Sequence, residues 1–492
     1  MSVAAEIAGL PLGLLLAGAA GTYAQARAMR GRGAGRTGFT AFGIMLAAFG
    51  VAAWLQATGA SGRFLLAWLV ALEWNGLAAL LALGGTGLGM AVALYSTAYL
   101  PEEPAVERFY PLLCLMTAGI VGVGLAMDLF SLFVFFELMA IASYALVAYP
   151  TKDWEPVEAG MKYVIMSGTG SLVALMGISL LFLFAGTMDL SDLRTAAAAI
   201  PPVAAVPIIA LLTTGFGLKA AVVPLHTWLP DAHSAAPSGI SAMLSGIVIQ
   251  TGLLALVKSV GVLVGAQAAF SVGFLLALLA VLTMTFGNLL ALHQTDLKRM
   301  LAYSSIAQVG YILLGFGLWL DYGVRTGAEG ALFHILNHAA LKGGAFLAAG
   351  MFLWQTGTRD MDRLAGIGRA TPLVGAAFAV SVLGLAGVPP MSGFLSKLLI
   401  AKAGLDAGGA WPLFFVIALA ANSVLSLAYY VPALNRIVFG HGATTDRRAP
   451  WTLQGPIVAL ALITILFGLF PDLPLQLVES AVNALSALFG GA

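Results

Sequence analysis

Residues 128–149 read DLFSLFVFFELMAIASYALVAY. Between its first and last residues the stretch carries one charged side chain, Glu137, and otherwise runs apolar without alternation. At 1.5 Å per residue, about 20 such residues cover the roughly 30 Å of a bilayer core. A continuous apolar run is a helix signature, whereas a barrel strand would alternate polar and apolar residues. Glu137 lies nine residues after Asp128 and fifteen before Lys152, roughly 13 and 22 Å from the two ends. An acid held that deep costs about 2.5–3.5 kcal/mol on insertion scales, so it is expected to line a cavity or pair with a base.

The rest of the chain repeats the pattern. Of 492 residues, 60% are hydrophobic and 9% charged, and the mean hydropathy is +0.96. That composition excludes a soluble globular protein. Apolar runs place helices near 7–24, 39–57, 73–98, 110–127, 129–149, 161–185, 204–224, 239–257, 271–291, 300–319, 328–355, 373–400, 411–433 and 452–470. The expected fold class is an all-α membrane protein of about fourteen transmembrane helices. The first run has Glu6 where a signal peptide would have bases, and reads as a retained span. Leu475 to Phe489 is short and amphipathic, either lying on the surface or extending the C-terminus. The single cysteine, Cys114, excludes an internal disulfide framework. The net charge of +1 and the lack of a basic patch interleaved with aromatics give no support to nucleic-acid binding.

Fourteen spans put both termini on one side, and the basic residues test that count. One set of loops holds fifteen: Arg27, Arg30, Arg32, Arg36, Arg108, Lys152, Lys162, Lys298, Arg299, Arg359, Arg363, Arg369, Arg436, Arg447 and Arg448. The opposite set holds five: Arg63, Arg194, Lys258, Arg325 and Lys402. Cytoplasmic loops carry the excess, so both termini are expected outside the cell inner membrane. Three of the 23 Lys and Arg remain, Lys219, Lys342 and Lys397, and all three fall inside expected spans.

Lys342 is as central in its span as Glu137 is in its own. His334, His338 and Lys342 recur at i, i+4 and i+8, making one polar stripe roughly 12 Å long on a helix. Histidine donates and accepts protons near neutral pH, which suits a relay; the competing readings are a static buried ion pair for Glu137 and Lys342, and core residues with satisfied hydrogen bonds for the histidines. Lys219 precedes Pro224 and Pro230, and Lys397 follows Pro389 and Pro390, so both spans should be interrupted. Interrupted helices in two halves point to a transport site. They are spans seven and twelve, and the odd offset gives an inverted repeat of five helices each, over 110–257 and 271–433, after helices 1–3 (1–109) and before a C-terminal helix and tail (434–492).

Other patterns carry less. Gly33-Ala34-Gly35-Arg36-Thr37-Gly38 fits GxGxxG but has no strand before it. His226, Asp231 and His233 are expected in a Pro-rich cytoplasmic turn without a fourth metal ligand. No P-loop, nucleophile elbow or CxxC is present, and neither cofactor nor metal is expected.

PLHTWLPDAHSAAPSGISAMLSG, LKRMLAYSSIAQVGYILLG, ALFHILNHAALKGGAFLAAG and GVPPMSGFLSKLLI resemble the antiporter-like subunits of respiratory complex I and of Mrp-type cation/proton antiporters, over about residues 70–440. Among these the chain looks most like the Mrp D subunit or its relatives in membrane-bound hydrogenases, because it ends soon after span fourteen. The resemblance implies two inverted five-helix repeats with broken helices seven and twelve. It implies a charge pair of Glu137 with Lys219, the series His334, His338 and Lys342 on helix eleven, and Lys397 on helix twelve. One departure stands out. The family commonly has Lys in the middle of helix eight, in a KTG or KVG context, where this chain has Gln250-Thr251-Gly252; Lys258 lies eight residues later, where relatives often have Arg. Glutamine bonds water but carries no proton at neutral pH.

The expected function is proton translocation within a hetero-oligomeric membrane complex, exchanging protons for a monovalent cation such as sodium. The proton path would run through Glu137, Lys219, His334, His338, Lys342 and Lys397, with Gln250 and Lys258 beside it. Proton pumping in a redox-driven complex and a non-transporting scaffold are the competing functions.

Overall fold

The computed structural model describes residues 7–29, 34–66, 70–100, 106–149, 154–264 and 271–489. Glu6, Arg30, Arg32, Gly33 and Lys152 lie outside them. Helices α1 (Leu10–Ala28) and α2 (Ala34–Ala57) are followed by a hairpin of β1 (Gly62–Leu66) and β2 (Val70–Trp74). Next come α3 (Gly76–Tyr99), α4 (Val106–Leu125), α5 (Leu129–Val147), α6 (Trp154–Ala185), the short α7 (Leu190–Ala197) and α8 (Pro202–Lys219). After a break, α9 (Trp228–Ala235) leads into α10 (Ser238–Gly261). Then follow α11 (Val272–Leu292), α12 (Leu297–Tyr322), α13 (Arg325–Thr356), α14 (Pro372–Ala386), α15 (Ser392–Ala407), α16 (Ala410–Phe439), α17 (Trp451–Leu469) and α18 (Asp472–Phe489). Among the described residues, eleven helices are long and apolar enough to cross a membrane. Helix α1 precedes them, the charge-bearing α13 and the broken α14–α15 pair lie among them, and with these the order reaches the expected fourteen.

Two segments differ from the sequence reading. Residues 62–66 pair antiparallel with residues 70–74, Arg63 opposite Glu73; no strand was expected there, and the helix expected from residue 73 starts at Gly76. The Arg63 guanidinium pairs with Glu73 at 3.0 Å and with Asp189 at 3.1 Å, so the hairpin closes over the start of α7. At the chain's end, α18 buries Pro474, Val478, Ala481, Val482 and Leu485, spaced as one helix face. Its backbone at Ser480 and Ala481 lies against Gly76, where there is no room for a side chain, and Phe489 meets Trp319. Thus the amphipathic segment docks on the ends of α3, α12 and α13.

Helices five and ten begin alike. Asp128 caps α5 through the Ser131 N–H at 2.7 Å, and Asp296 caps α12 through the Arg299 N–H at 3.0 Å; such caps contribute about 1 kcal/mol each. Leu129 N–H donates to Met188 O at 3.0 Å and Leu190 N–H to Met127 O at 2.9 Å. In the second half Leu297 N–H donates to Arg359 O at 2.9 Å and Met361 N–H to Thr295 O at 3.0 Å. The same clasp therefore ties the start of the second helix to the end of the third in each half. Packing repeats as well: α4 lies on α5 as α11 lies on α12, and α6 on α8 as α13 on α14.

Both broken helices end in one motif. At the end of α8, Val222 N–H reaches Gly217 O and Ala221 N–H reaches Leu218 O, with Ala221 left-handed at φ +56°. At the end of α14, Val388 N–H reaches Leu383 O and Gly387 N–H reaches Gly384 O, with Gly387 at φ +87°. These are paired 6→1 and 5→2 helix stops. Proline follows three residues later in both, Pro224 and Pro390, and prevents the helix from resuming in register.

Candidate functional site

Glu137 sits in the middle of α5, and Lys219 is the last residue of α8. Their carboxylate and ammonium form a short ion pair, Lys219 Nζ to Glu137 Oε1. Glu137 is 21% exposed and Lys219 5%, so the pair is largely withdrawn from the surface. The Ser171 hydroxyl of α6 donates to the same Glu137 oxygen at 2.6 Å, and the Lys219 ammonium rests 4.5 Å from the Phe136 ring centroid. Trp228 holds the far side of the break by donating from Nε1 to Leu218 O at 2.9 Å. It stacks on Tyr163 at 4.0 Å between ring centroids.

Helix α10 passes directly behind that break: a side chain at Gly252 would meet the backbone of Lys219 and Ala220. Two residues earlier, Gln250 donates from Nε2 to His338 Nδ1 at 3.1 Å. Glutamine at the departing position thus bridges helix eight to helix eleven. The α10 ladder widens to i+5 spacing over Leu244–Val248, a local feature frequent at functional sites.

On α13 the expected stripe is present, with His334, His338 and Lys342 all fully buried, but each meets different partners. Lys342 donates to Leu301 O at 2.7 Å and, more tightly, to the Ser304 hydroxyl. The rings of His334 and His338 lie 6.1 Å apart. His334 Nε2 contacts Gln308 Oε1 at 2.9 Å, and the Gln308 amide is oriented by its own donation to Leu385 O at 3.0 Å. Nε2 must therefore carry a hydrogen. Nδ1 faces the Ser396 hydroxyl at 2.8 Å, and that hydroxyl can also turn to Gly393 O at 3.1 Å. Neutral His334 accepts from Ser396; charged His334 donates to it while Ser396 donates to Gly393. The pocket can satisfy both protonation states by rotating one hydroxyl.

Lys397 reaches back across its break to Leu385 O at 3.0 Å and Ala386 O at 3.2 Å, with its ammonium 4.3 Å from the Tyr311 ring centroid. A side chain at Gly387 would need a left-handed backbone and would crowd the Lys397 stem at 3.1 Å, so glycine is favoured there. Counting from the two matched helix stops, Leu385 occupies the place in α14 that Lys219 occupies in α8. The two lysines lie on opposite sides of their breaks, yet both ammonium groups gather at the end of the first half-helix. Lys219 meets a carboxylate there, whereas Lys397 meets two carbonyls and the face of an aromatic ring. Lys342 likewise has only neutral oxygen partners among the described residues.

Lys258 is buried and donates to Ala126 O at 2.6 Å and Val123 O at 3.2 Å. It closes the carbonyl end of α4, a cap on a helix terminus, and meets none of the other candidate side chains by a hydrogen bond. Asp231, expected in a turn with His226 and His233, is on α9, pairing with Lys162 and Arg299 at 3.2 Å each. His233 is fully buried on the same helix. Among the described residues no three His, Cys, Asp or Glu side chains gather as metal ligands. Ser171, Ser304, Gln308, Tyr311 and Ser396 complete the site and escaped the sequence reading. Neutral polar residues are common in spans, and only their partners distinguish them.

A helical multi-pass membrane protein with buried titratable groups joined through two broken helices defines a transport class. Residues 126–425 match the family described as NADH:quinone oxidoreductase/Mrp antiporter, TM, and the chain belongs to that family. It is 33% identical to NADH-quinone oxidoreductase subunit N of Desulforudis audaxviator, covering 80% of each chain. It is 31% identical to the D subunit of the Na(+)/H(+) antiporter of Alkalihalophilus pseudofirmus, covering 77% of this chain and 76% of the relative. Among solved structures, a chain of the membrane-bound sulfane sulfur reductase, an archaeal respiratory membrane complex, superposes with a TM-score of 0.88 at 29% identity over 99% of both chains.

Proposed function

We propose that this chain is the proton-translocating subunit of a multisubunit cation/proton antiporter, exchanging H+ for a monovalent cation such as Na+. The observation that carries the reading is the series of titratable groups inside the protein: the Glu137–Lys219 pair, Gln250 linked to His338, Lys342, and His334 joined to Lys397 through Gln308 and the Leu385 carbonyl. A carboxylate holds an ammonium more strongly than neutral oxygens do. Separation of Glu137 from Lys219 would release the proton toward His338 and Lys342, and onward to His334 and Lys397. Lys258 fits a stabilising cap better than a step in this path.

The repeated clasps and helix stops support two inverted five-helix units, 110–257 and 271–433, flanked by helices 1–3 in 1–109 and a C-terminal segment, 434–492. The excess of bases in one set of loops supports a bacterial or archaeal inner membrane with both termini outside. The partners are other membrane subunits, which supply the driving ion gradient or redox chemistry. A second reading, the proton-pumping subunit of a complex I-type or hydrogenase complex, is favoured by the likeness to the N subunits of two dehydrogenase-type complexes at 33% and 34% identity.

The test is Lys219→Ala in the whole complex, reconstituted in proteoliposomes and followed by pH-jump fluorescence. Loss of proton flux at unchanged assembly is expected. Undiminished flux would remove the pair from the mechanism.

A further inference from the structure

His233 is a fully buried base outside the path described so far. It is on α9, and among the described residues neither of its ring nitrogens has a hydrogen-bond partner. Its ring stacks on Phe346 at 5.0 Å and 15°, one helical turn beyond Lys342, and the Lys342 ammonium is 5.9 Å from that phenyl ring's centroid. The next residue, Ser234, ties α9 to the charged rim: its carbonyl accepts from Arg359 Nη1 and, at 3.4 Å, from Lys298 Nζ. Arg359 in turn pairs with Asp296 at 3.0 Å and with the exposed Glu155 at 3.3 Å. Lys298, itself buried, donates to Ala236 O at 2.6 Å. His233 is within electrostatic reach of both Lys298 and Lys342, and also of His338. From the rim inward the order is therefore Glu155 and Asp296, Arg359 and Lys298, His233, then Lys342.

An imidazole withdrawn from bulk water with two unsatisfied nitrogens is costly, and natural proteins relieve that cost with water held in the interior. Simple packing would be served at lower cost by a phenyl ring, since the stack on Phe346 needs no nitrogen. We propose that His233 is a proton carrier on an entry branch from the Lys298 rim to Lys342, working through water bound at its two ring nitrogens. A proton arriving from the rim binds one ring nitrogen, and the other nitrogen gives up its own proton toward Lys342. Rotation of the ring, which exchanges the positions of its two nitrogens, then resets the neutral imidazole, so no net charge stays on the histidine. The branch would deliver protons to the second half without passing helix eight, where Gln250 carries none. This rests on the transport reading above and adds a residue to it.

The test uses the assembled complex in proteoliposomes, with Lys219→Ala run alongside. His233→Gln keeps hydrogen bonding to water but carries no proton at neutral pH, and should lower initial proton flux about tenfold or more. His233→Ala should fall as far and recover when imidazole is added. Wild-type flux in His233→Gln overturns the proposal, as does an alanine defect that imidazole leaves unchanged. If Lys219→Ala abolishes flux while His233→Gln retains it, only the carrier role is lost; if both retain it, the transport reading fails too. Should the variants not assemble, deuterium exchange at C2 of His233 in the native complex decides. A rate within about tenfold of that of the exposed His293 supports a wetted ring, and absence of exchange refutes it.

Discussion

Replacing Glu137 by Gln keeps the shape of the α5 side chain and removes its charge from Lys219. Unit charges about 4 Å apart attract by about 4 kcal/mol at an effective dielectric of about 20. Breaking a fully buried pair by deleting one partner costs about 3–5 kcal/mol. Glu137 retains 21% exposure, so partial screening brings the expected loss for the Lys219 ammonium to about 2–3 kcal/mol. At about 1.4 kcal/mol per decade, that is a roughly 30- to 150-fold loss in the equilibrium constant for holding the Lys219 proton. The Ser171 hydroxyl, which donates to Glu137, can still donate to the glutamine carbonyl, so local packing should survive. The assay is initial proton flux in proteoliposomes, normalised to assembled complex. Glu137→Gln is expected to lose at least about tenfold, the same factor that a decade of occupancy sets. The double variant Glu137→Gln/Lys219→Met should regain thermal stability, because no unpaired charge remains, while its flux stays low. A Glu137→Gln complex with flux within a factor of about two of wild type would refute the reasoning.

Two further outcomes are expected. Lys258→Met removes two charge-assisted hydrogen bonds from the end of α4, each contributing about 1.5–3 kcal/mol; melting of the complex should shift down by several degrees, with flux per assembled complex little changed. With Cys114 replaced by Ser, a membrane-impermeant maleimide should label Asp192→Cys from outside intact cells. Asp446→Cys should be labelled only after permeabilisation; the reverse pattern would invert the assigned orientation.

Much of the architecture was legible because it follows from the solvent. A long apolar run with one acid, as at 128–149, has few places to go other than a helix through lipid, and Pro224 and Pro390 mark where two helices must stop. The residues alone showed that a mid-span acid such as Glu137 needs a base; that the base is Lys219 came from the resemblance to the antiporter-like subunits. The hairpin was not: GRFLL and VALEW are too short to stand out in so apolar a chain, and only Arg63 and Glu73, ten residues apart, hinted at pairing. Nor could sequence place the Lys397 ammonium beside Leu385, because a carbonyl ligand leaves no residue-type signature. The same limit hid the cap made by Lys258. His233 was misjudged for a different reason: Pro230 and Pro237 suggested a turn, but Pro230 falls in the first turn of α9, where its missing N–H costs nothing.

In the proposed path Lys342 is the middle link, between the paired lysine of the first half and the Lys397 site of the second. Proton flux through the reconstituted Lys342→Met complex therefore tests most directly whether buried groups carry protons in series. Methionine fills similar volume and leaves the core dry and uncharged, so assembly should persist. The expected result is flux at the level of protein-free leak with the complex intact; full flux through an intact Lys342→Met complex would contradict the path.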